Sequence, residues 1–495
     1  MPNFSKYALS DRYTNCLSKI SKYKNVNAFI TVFDNAENLD SASSDGKIIA
    51  VKDNLCVKNS YTTCASKILS KYKSPNNATV VEKLLTQGNL ILGKTNMDEF
   101  GMGSGNVYSN YRPTLHPIHA EDSVPCSDPY VPGGSSGGSA VAVAMNLCDV
   151  ALGSDTGGSV RMPAAYCGIT GFKPSFGRVS RFGLIEYAES LDCVGWLTKN
   201  VNSCIDLYRN LQGPDQKDPT TLNMINYDDY TILQKIRNIK SGGKRNTISL
   251  GYISDESFFV GMNPEFREAY FKVINQLRDE GFNLVEIRKD FVEDSLACYY
   301  TLATSEASKS LSKYDGSHGN INDTIREQGF GFEVKRRLKI GSILSSSRLS
   351  TEYYQRSHQI RHRIRQDFNN IFTKCDFLFI PTVGDFPPRQ SKFIYDHENI
   401  EEEELEEIVH SWWALKESSN DHSFMKAWLN DTFTIPPSLA GLPVLAMPLL
   451  HIKHPELANH SFSGQIIGAI GNDKGVLEMG SIMEGLFSIL ENQRQ

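Results

Sequence analysis

The stretch Val131–Gly171, VPGGSSGGSAVAVAMNLCDVALGSDTGGSVRMPAAYCGITG, constrains this chain more than any other part of it. Two serine clusters flanked by glycine, GGSSGGS at 133–139 and DTGGS at 155–159, bracket a small apolar run. Glycine lets a backbone pass close to a ligand and take angles that a Cβ forbids. A serine in such a turn presents its hydroxyl while neighbouring backbone N–H groups stay free to hold an anion. Acyl transfer needs that combination of a nucleophile and a preformed oxyanion site. A flexible Gly/Ser linker would not be interleaved with runs such as AVAVAMNL. A phosphate-cradling loop would end in Gly-Lys-Ser/Thr, and no lysine follows these glycines. The nucleophile-elbow pattern G-x-S-x-G is not met at Ser159, where Val160 and Arg161 follow, and no histidine lies nearby. The base for a serine here must be another residue type.

Local periodicity fits this reading. Ser139–Leu147 reads as a buried helix with Ser136 or Ser139 at its N-cap. Asp149–Gly153 reads as a short buried strand. Ser159 stands before a second helix, VRMPAAYC, which Pro163 should delay or make irregular. Helix starts offer free N–H groups that stabilise negative charge.

The block resembles the signature of the amidase signature family, whose members carry a serine–serine–lysine catalytic trio. Ser159, ending DTGGS, falls on the family's nucleophile, and Ser135, the first serine of GGSSGGS, falls on its bridging serine 24 residues earlier. The lysine matches Lys52 in IIAVKDN. The resemblance implies that Ser135 relays a proton between Ser159 and Lys52, and that the Gly134–Ser135 peptide is cis. It also implies an oxyanion hole lined by the backbone N–H groups of Thr156, Gly157, Gly158 and Ser159, worth ~3–4 kcal/mol per donor in comparable sites. Ser154 and Asp155 read either as supports of that turn or as ordinary turn residues. To act as a base, Lys52 must be uncharged part of the time, so burial has to lower its pKa from the reference of about 10.4. The flanking IIAV is a buried-strand sequence suited to carry it inward.

Over most of the chain the likeness narrows to the A subunits of glutamyl-tRNA(Gln) amidotransferases. TTCASKIL (62–69), ILGKTNMDEFGMGS (91–104), KYDG (313–316), GFEVKRRLKIG (331–341) and NDTFTIPPSLAGLPVLAMP (430–448) carry it. The resemblance implies a chain that hydrolyses glutamine and passes ammonia to a B-type partner. That partner would use ATP and magnesium to activate Glu-tRNA(Gln) and hold most of the tRNA; no cofactor is expected in this chain. A small third subunit would complete the assembly. Asp431 matches the aspartate that binds the glutamine ammonium, and Arg337 the arginine that pairs with its carboxylate, with Arg336 the other register. An arginine fork suits that task because it can bind a carboxylate through two bonds at once. Two rival readings remain: a stand-alone amidase for another amide, with an apolar acyl channel and no need of Asp431, and a non-catalytic scaffold. Intact Lys52, Ser135 and Ser159 speak against the scaffold.

The implied fold is α/β: one amidase-signature domain over about 26–490, with a central mixed β-sheet sandwiched by α-helices. At 495 residues the chain is long for one domain, but large α/β enzymes reach this size around one sheet. A formal charge of −6 offers no broad basic face for nucleic acid. Ten cysteines without CxxC or a His/Cys cluster suggest reduced, mostly buried thiols, neither a zinc site nor a disulfide framework. No apolar run approaches the ~20 residues that span a bilayer.

Residues 1–25 carry Lys6, Arg12, Lys19, Lys22 and Lys24 against Asp11 alone, which reads as a mitochondrial targeting segment or a short amphipathic helix. The chain also begins about one helix later than the bacterial versions, a trait of fungal mitochondrial ones, so the matrix is the expected location. Three stretches depart from the bacterial pattern. Residues 112–130 read as a surface loop near the site entrance, and 214–246 as a flexible excursion. Residues 394–424 hold the acidic EEEELEEIV and Trp412–Trp413, and are read as a solvated helix rather than a partner-docking one. Within AESLDCVGW (188–196), Glu189 and Cys193 stand where the family has small and polar residues.

Overall fold

The strand β2 (Ile48–Lys52) is buried along its whole length, and its side chains divide between two cores. Ile49 and Val51 join the larger core, while Ile48 and Ala50 join a second one on the opposite face. A strand covered on both faces reads as a continuous apolar run rather than an alternation, which is why IIAV carries no polar partner. The computed structural model describes residues 4–492 apart from 34–41, 122–125, 222–229, 293, 315–327, 346–348, 394–401, 415–421 and 458–459.

Ten further strands complete one mixed sheet: β1 (Phe29–Val32), β3 (Leu90–Thr95), β4 (Val150–Asp155), β5 (Thr170–Lys173), β6 (Cys193–Thr198), β7 (Ser249–Tyr252), β8 (Asn283–Glu286), β9 (Phe377–Pro381), β10 (Val444–His451) and β11 (Ser461–Gly468). Their order is β1-β3-β2-β4-β6-β5-β10-β11-β9-β7-β8. β2 runs parallel to β3 and β4, and β7 parallel to β8 and β9; the remaining pairs are antiparallel. Helices cover both faces, so the chain adopts the expected α/β arrangement around a mixed sheet. The crevice beyond the carboxyl ends of parallel β2 and β4 is where ligands bind in open α/β sheets, and both serine loops lie there.

The basic N-terminal stretch forms the helix Phe4–Lys22. It buries Leu9, Tyr13 and Cys16 in the second core, and the Tyr13 hydroxyl donates to the Phe33 carbonyl at 2.7 Å. That helix is part of the layer covering the sheet. Within 214–246, residues 222–229 lie outside the described residues, but Tyr230–Lys240 is a helix that buries Ile232, Leu233, Ile236 and Ile239. The expected flexible excursion is therefore corrected over its second half: isoleucines at helical spacing join the larger core beside the helix Asp473–Asn492. Of 394–424, the stretches 394–401 and 415–421 lie outside the described residues, as do Asp315 and Gly316 of KYDG. Between the first two, the helix Glu402–Ala414 turns Leu405, Val409 and Trp412 inward and leaves Glu407 and His410 exposed. Its apolar edge is covered by the helices Ser295–Leu311 and Phe332–Leu344. All ten cysteines are free thiols, eight of them buried.

A buried ion pair fixes the end of β2. Lys94 Nζ on β3 lies 3.0 Å from Asp53 Oδ1, both side chains being inaccessible. The other Asp53 oxygen accepts the Thr63 N–H at 3.0 Å and the Thr63 hydroxyl. Replacing Asp53 by alanine would strand a buried ammonium. The expected cost is ~3–5 kcal/mol, read as an earlier denaturant midpoint for D53A than for the parent chain.

Candidate active site

Lys52 ends β2 with its side chain inaccessible to solvent. Its Nζ is 2.7 Å from Ser135 Oγ, 2.9 Å from Ser154 Oγ and 3.3 Å from the Ser154 carbonyl oxygen. The carbonyl can only accept, and Ser154 Oγ also receives an N–H from Asn54 at 2.9 Å. A neutral amine has two N–H donors and one lone pair. With both donors spent on Ser154, the lone pair faces Ser135 and can accept its hydroxyl hydrogen. Burial lowers the Lys52 pKa to about 7, against the opposing pull of Asp98, Asp155 and Asp192. Ser154 thus orients the Lys52 amine.

Ser135 follows a cis peptide bond from Gly134. A Cβ on Gly134 would overlap the Asp98 carboxylate, so only glycine allows the loop to lie this close. The helix that follows spans Gly137–Ala144, shorter than the sequence suggests. Its N-cap is Ser136, but without the expected side-chain cap: the Ser136 hydroxyl donates to the Ser154 carbonyl at 3.2 Å instead. Both serine loops are thereby tied to the end of β4. Among the described residues no hydrogen bond joins the Ser159 and Ser135 hydroxyls. The two loops meet through the Ser136 N–H, which donates to the Ser159 carbonyl at 3.1 Å. Contacts of this kind are often longer in a free enzyme and tighten around substrate.

The second loop is organised by a residue pair. Asp155 and Arg161 are fully buried, 2.9 Å apart, and the Asp155 carboxyl stays below its usual range, with Arg161 offsetting the cost of burial. Arg161 also donates to the Thr434 carbonyl at 2.9 Å and the Ser438 hydroxyl at 2.7 Å. Asp155 accepts the Gly158 N–H at 2.8 Å and the Val160 N–H at 3.1 Å. The Gly158 N–H, one of the expected oxyanion donors, is thus committed to Asp155 in this structure. Gly158 has φ +136° and a Cβ there would meet the Thr434 side chain, so its role is conformational. Asp192 holds the Thr156 hydroxyl at 2.6 Å. Pro163 is tolerated in the first turn of the helix Arg161–Tyr166, where the Ser159 carbonyl four residues back is taken by the Ser136 N–H instead.

Thr434 lies in the helix His422–Ala440, which contains Pro436 and Pro437. Pro437 cannot donate to the Phe433 carbonyl, and Gln465 Nε2 does so at 2.7 Å. Thr434 in turn donates its hydroxyl to the Gly157 carbonyl at 2.6 Å. The TIPP segment is thus stitched to the serine loop, and it carries Asp431 nearby.

Ser159, Asp431 and Arg337 line one narrow pocket together with Gly157, Gly158 and Tyr300. The pocket opens outward into a cavity of about 670 Å³ that Arg336, Arg337, Asp431 and Tyr130 also line. Tyr130 ends the 112–130 stretch. Arg337 donates to Glu333 at 2.7 Å and to the Tyr187 hydroxyl at 2.8 Å through Nε and Nη1. Nη2 remains to meet a ligand, so the fork is only partly free. Arg336 pairs with the other side of Glu333 at 2.9 Å and lines only the outer cavity. Of the two registers, Arg337 is the one beside Ser159. Asp431 accepts the Tyr300 hydroxyl at 2.6 Å, and burial raises its pKa to about 6. Glu189 is exposed, and Cys193 is buried with its sulfur 3.9 Å from Lys173 Nζ. Neither lines the narrow pocket.

The amidase family model matches residues 13–477. The chain belongs to the amidase family. It is 35% identical to the A subunit of the mitochondrial glutamyl-tRNA(Gln) amidotransferase of Ajellomyces capsulatus, over 95% of this chain and 98% of that protein. It is 38% identical to the corresponding protein of Prochlorococcus marinus, over 83% of this chain and 80% of the other. The crystal structure of the Thermotoga maritima counterpart superposes with a TM-score of 0.72 at 29% identity, covering 95% of this chain and 90% of that one.

Four residues of this amidase site gave no signal in the sequence: Arg161, Asp192, Tyr300 and Glu333. Each acts through a contact across the fold or along a helix, and none belongs to a serine cluster. A charge as bulky as Arg161 inside an otherwise small, apolar block was the one available hint.

The base assigned to Lys52 makes a pH prediction. Below its pKa the amine is an ammonium and cannot take the Ser135 hydrogen; above it the lone pair is free. Amide hydrolysis should rise with pH, reach half its maximum near the Lys52 pKa of about 7, and level off beyond. A kcat/KM profile measured across that range checks it.

Proposed function

We propose that this amidase is the glutamine-hydrolysing A subunit of a glutamyl-tRNA(Gln) amidotransferase. One observation carries the reading: a carboxylate and a guanidinium, Asp431 and Arg337, share a narrow pocket with Ser159. An amide substrate whose far end bears an ammonium and a carboxylate fits that pocket, and glutamine is such a substrate. A stand-alone amidase for an apolar acyl group would have no use for a carboxylate and a guanidinium beside its nucleophile. The mitochondrial and bacterial relatives, all named for that role, support the same reading.

In this mechanism the Ser135 hydroxyl gives its hydrogen to the neutral Lys52 amine and takes the hydrogen of Ser159. The Ser159 oxygen then bonds to the glutamine amide carbon, and the carbonyl oxygen becomes an oxyanion facing the Thr156, Gly157 and Ser159 N–H groups. When the C–N bond breaks, the proton held by Lys52 returns through Ser135 to the leaving nitrogen, which departs as ammonia. Water adds to the glutamyl ester by the same relay, and glutamate leaves. Asp431 holds the substrate ammonium and Arg337 its carboxylate throughout.

The ammonia serves a B-type partner, which binds ATP and magnesium and most of the Glu-tRNA(Gln); this chain supplies no cofactor. A small third subunit joins the assembly, and the complex works in the mitochondrial matrix. Among the described residues no helix is long and apolar enough to cross a membrane.

Ser159→Ala should abolish glutamine hydrolysis. Asp431→Ala and Arg337→Ala should each raise the KM for glutamine by about 10–100-fold, the loss expected for a hydrogen bond to a charged group. An unchanged glutamine KM in D431A would overturn Asp431 as the ammonium site, and a parent chain that with its partners hydrolyses no glutamine would exclude glutamine as the substrate.

A further inference from the structure

We propose that Trp412, on the helix Glu402–Ala414, is a positioning residue for the amine-binding end of the substrate pocket. Its indole backs the ring of Tyr300, and the Tyr300 hydroxyl holds the Asp431 carboxylate. The ring centroids of Trp412 and Tyr300 are 5.4 Å apart, and Trp412 is almost fully buried. On its other side Tyr300 meets Tyr299 edge-on at 5.1 Å and lies 5.8 Å from the Arg337 guanidinium. The phenol is therefore fixed between two aromatic rings and a cation, with its hydroxyl 2.6 Å from Asp431 Oδ2.

The helix bearing Trp412 is placed for this task. Leu405, Val409 and Trp412 fall on one face at helical spacing and form a core with Ala297, Ile340, Ile343 and Leu344. Ala297 belongs to the helix Ser295–Leu311, which presents Tyr300. The three others belong to the helix Phe332–Leu344, which presents Arg337. This helix thus braces the element that carries Arg337 and the one whose Tyr300 holds Asp431. Trp413 secures it from the side, stacking on Tyr353 at 5.6 Å and lying 4.6 Å from the Arg356 guanidinium.

The physical consequence concerns Asp431. A buried carboxylate prefers to be neutral unless hydrogen bonds and a cation sustain its charge. Tyr300 supplies one of those bonds only while its ring stays upright. Without the indole, the space behind the ring opens, the phenol can rotate away, and Asp431 loses the donor that keeps it charged for the ammonium. The reaction steps at Ser159 use none of these groups. Loss of Trp412 should therefore weaken the grip on the substrate amine and spare the chemistry.

The proposal rests on Asp431 binding the substrate ammonium, and its test separates the two ideas. Steady-state hydrolysis is measured with the full chain and its co-purifying partners, on glutamine and on 4-carbamoylbutanoate, which is glutamine without the α-amine. W412A should raise the KM for glutamine about tenfold, a coupling usual between residues in contact, with kcat nearly unchanged. Turnover of 4-carbamoylbutanoate should not change, because that substrate has no ammonium to lose. W412F, which keeps a ring behind Tyr300, should restore the parent KM, and W412A should add nothing once Tyr300 is phenylalanine. Should W412A not fold, W412L fills the space without a ring and should show the same KM increase. Equal losses on both substrates, or a parent-like glutamine KM in W412A or W412L while D431A raises it, would overturn the proposal. A parent-like KM in D431A would instead overturn the assignment of the ammonium site.

Discussion

An amine kept out of water at the end of β2 is the constraint on which the rest of the site depends. Lys52 has no carboxylate among its hydrogen-bond partners, only hydroxyl groups and a carbonyl. A carboxylate in hydrogen-bond contact would hold the ammonium and abolish the base. Asp98, Asp155 and Asp192 are near enough to favour the charge, yet burial outweighs them. Each is itself engaged elsewhere: Asp98 by backbone N–H groups, Asp155 by Arg161, Asp192 by Thr156. The surrounding fold keeps three acids close to a base without letting any of them pair with it.

That arrangement explains why glycine is dense here. Parallel β2 and β4 set Lys52 and Ser154 side by side, and both serine loops must then converge on one point. Gly134 brings the first loop against Asp98, and Gly158 turns the second against Thr434. Arg161 reaches from the second loop to the TIPP segment, and that segment carries Asp431 to the same pocket. The proposed base, nucleophile and substrate clamp are thus parts of one connected set of buried polar contacts.

Much of this was legible beforehand, for a physical reason. Ser135 and Ser159 lie in glycine-flanked clusters that a tight, ligand-facing turn explains, IIAV announced a fully buried strand, and Lys52 was placed by resemblance to the amidase signature family. Asp431 and Arg337 could be matched to segments, but their setting could not. Tyr300 and Trp412 meet across helices far apart in sequence, and no local pattern announces such a contact. The Gly158 N–H is committed to the Asp155 carboxylate in this structure, which a linear string does not show. The stretch at 230–240 was misread because polar flanks masked four buried apolar residues at helical spacing.

The charge of one amine decides between this mechanism and any other. The direct measurement is an NMR titration of lysine ε-groups in isotopically labelled protein, with the Lys52 signal assigned by its loss in K52M. The amine is predicted to lose its proton near pH 7, far below ordinary lysines at about 10.4. A Lys52 still fully charged above about pH 9 would contradict the mechanism.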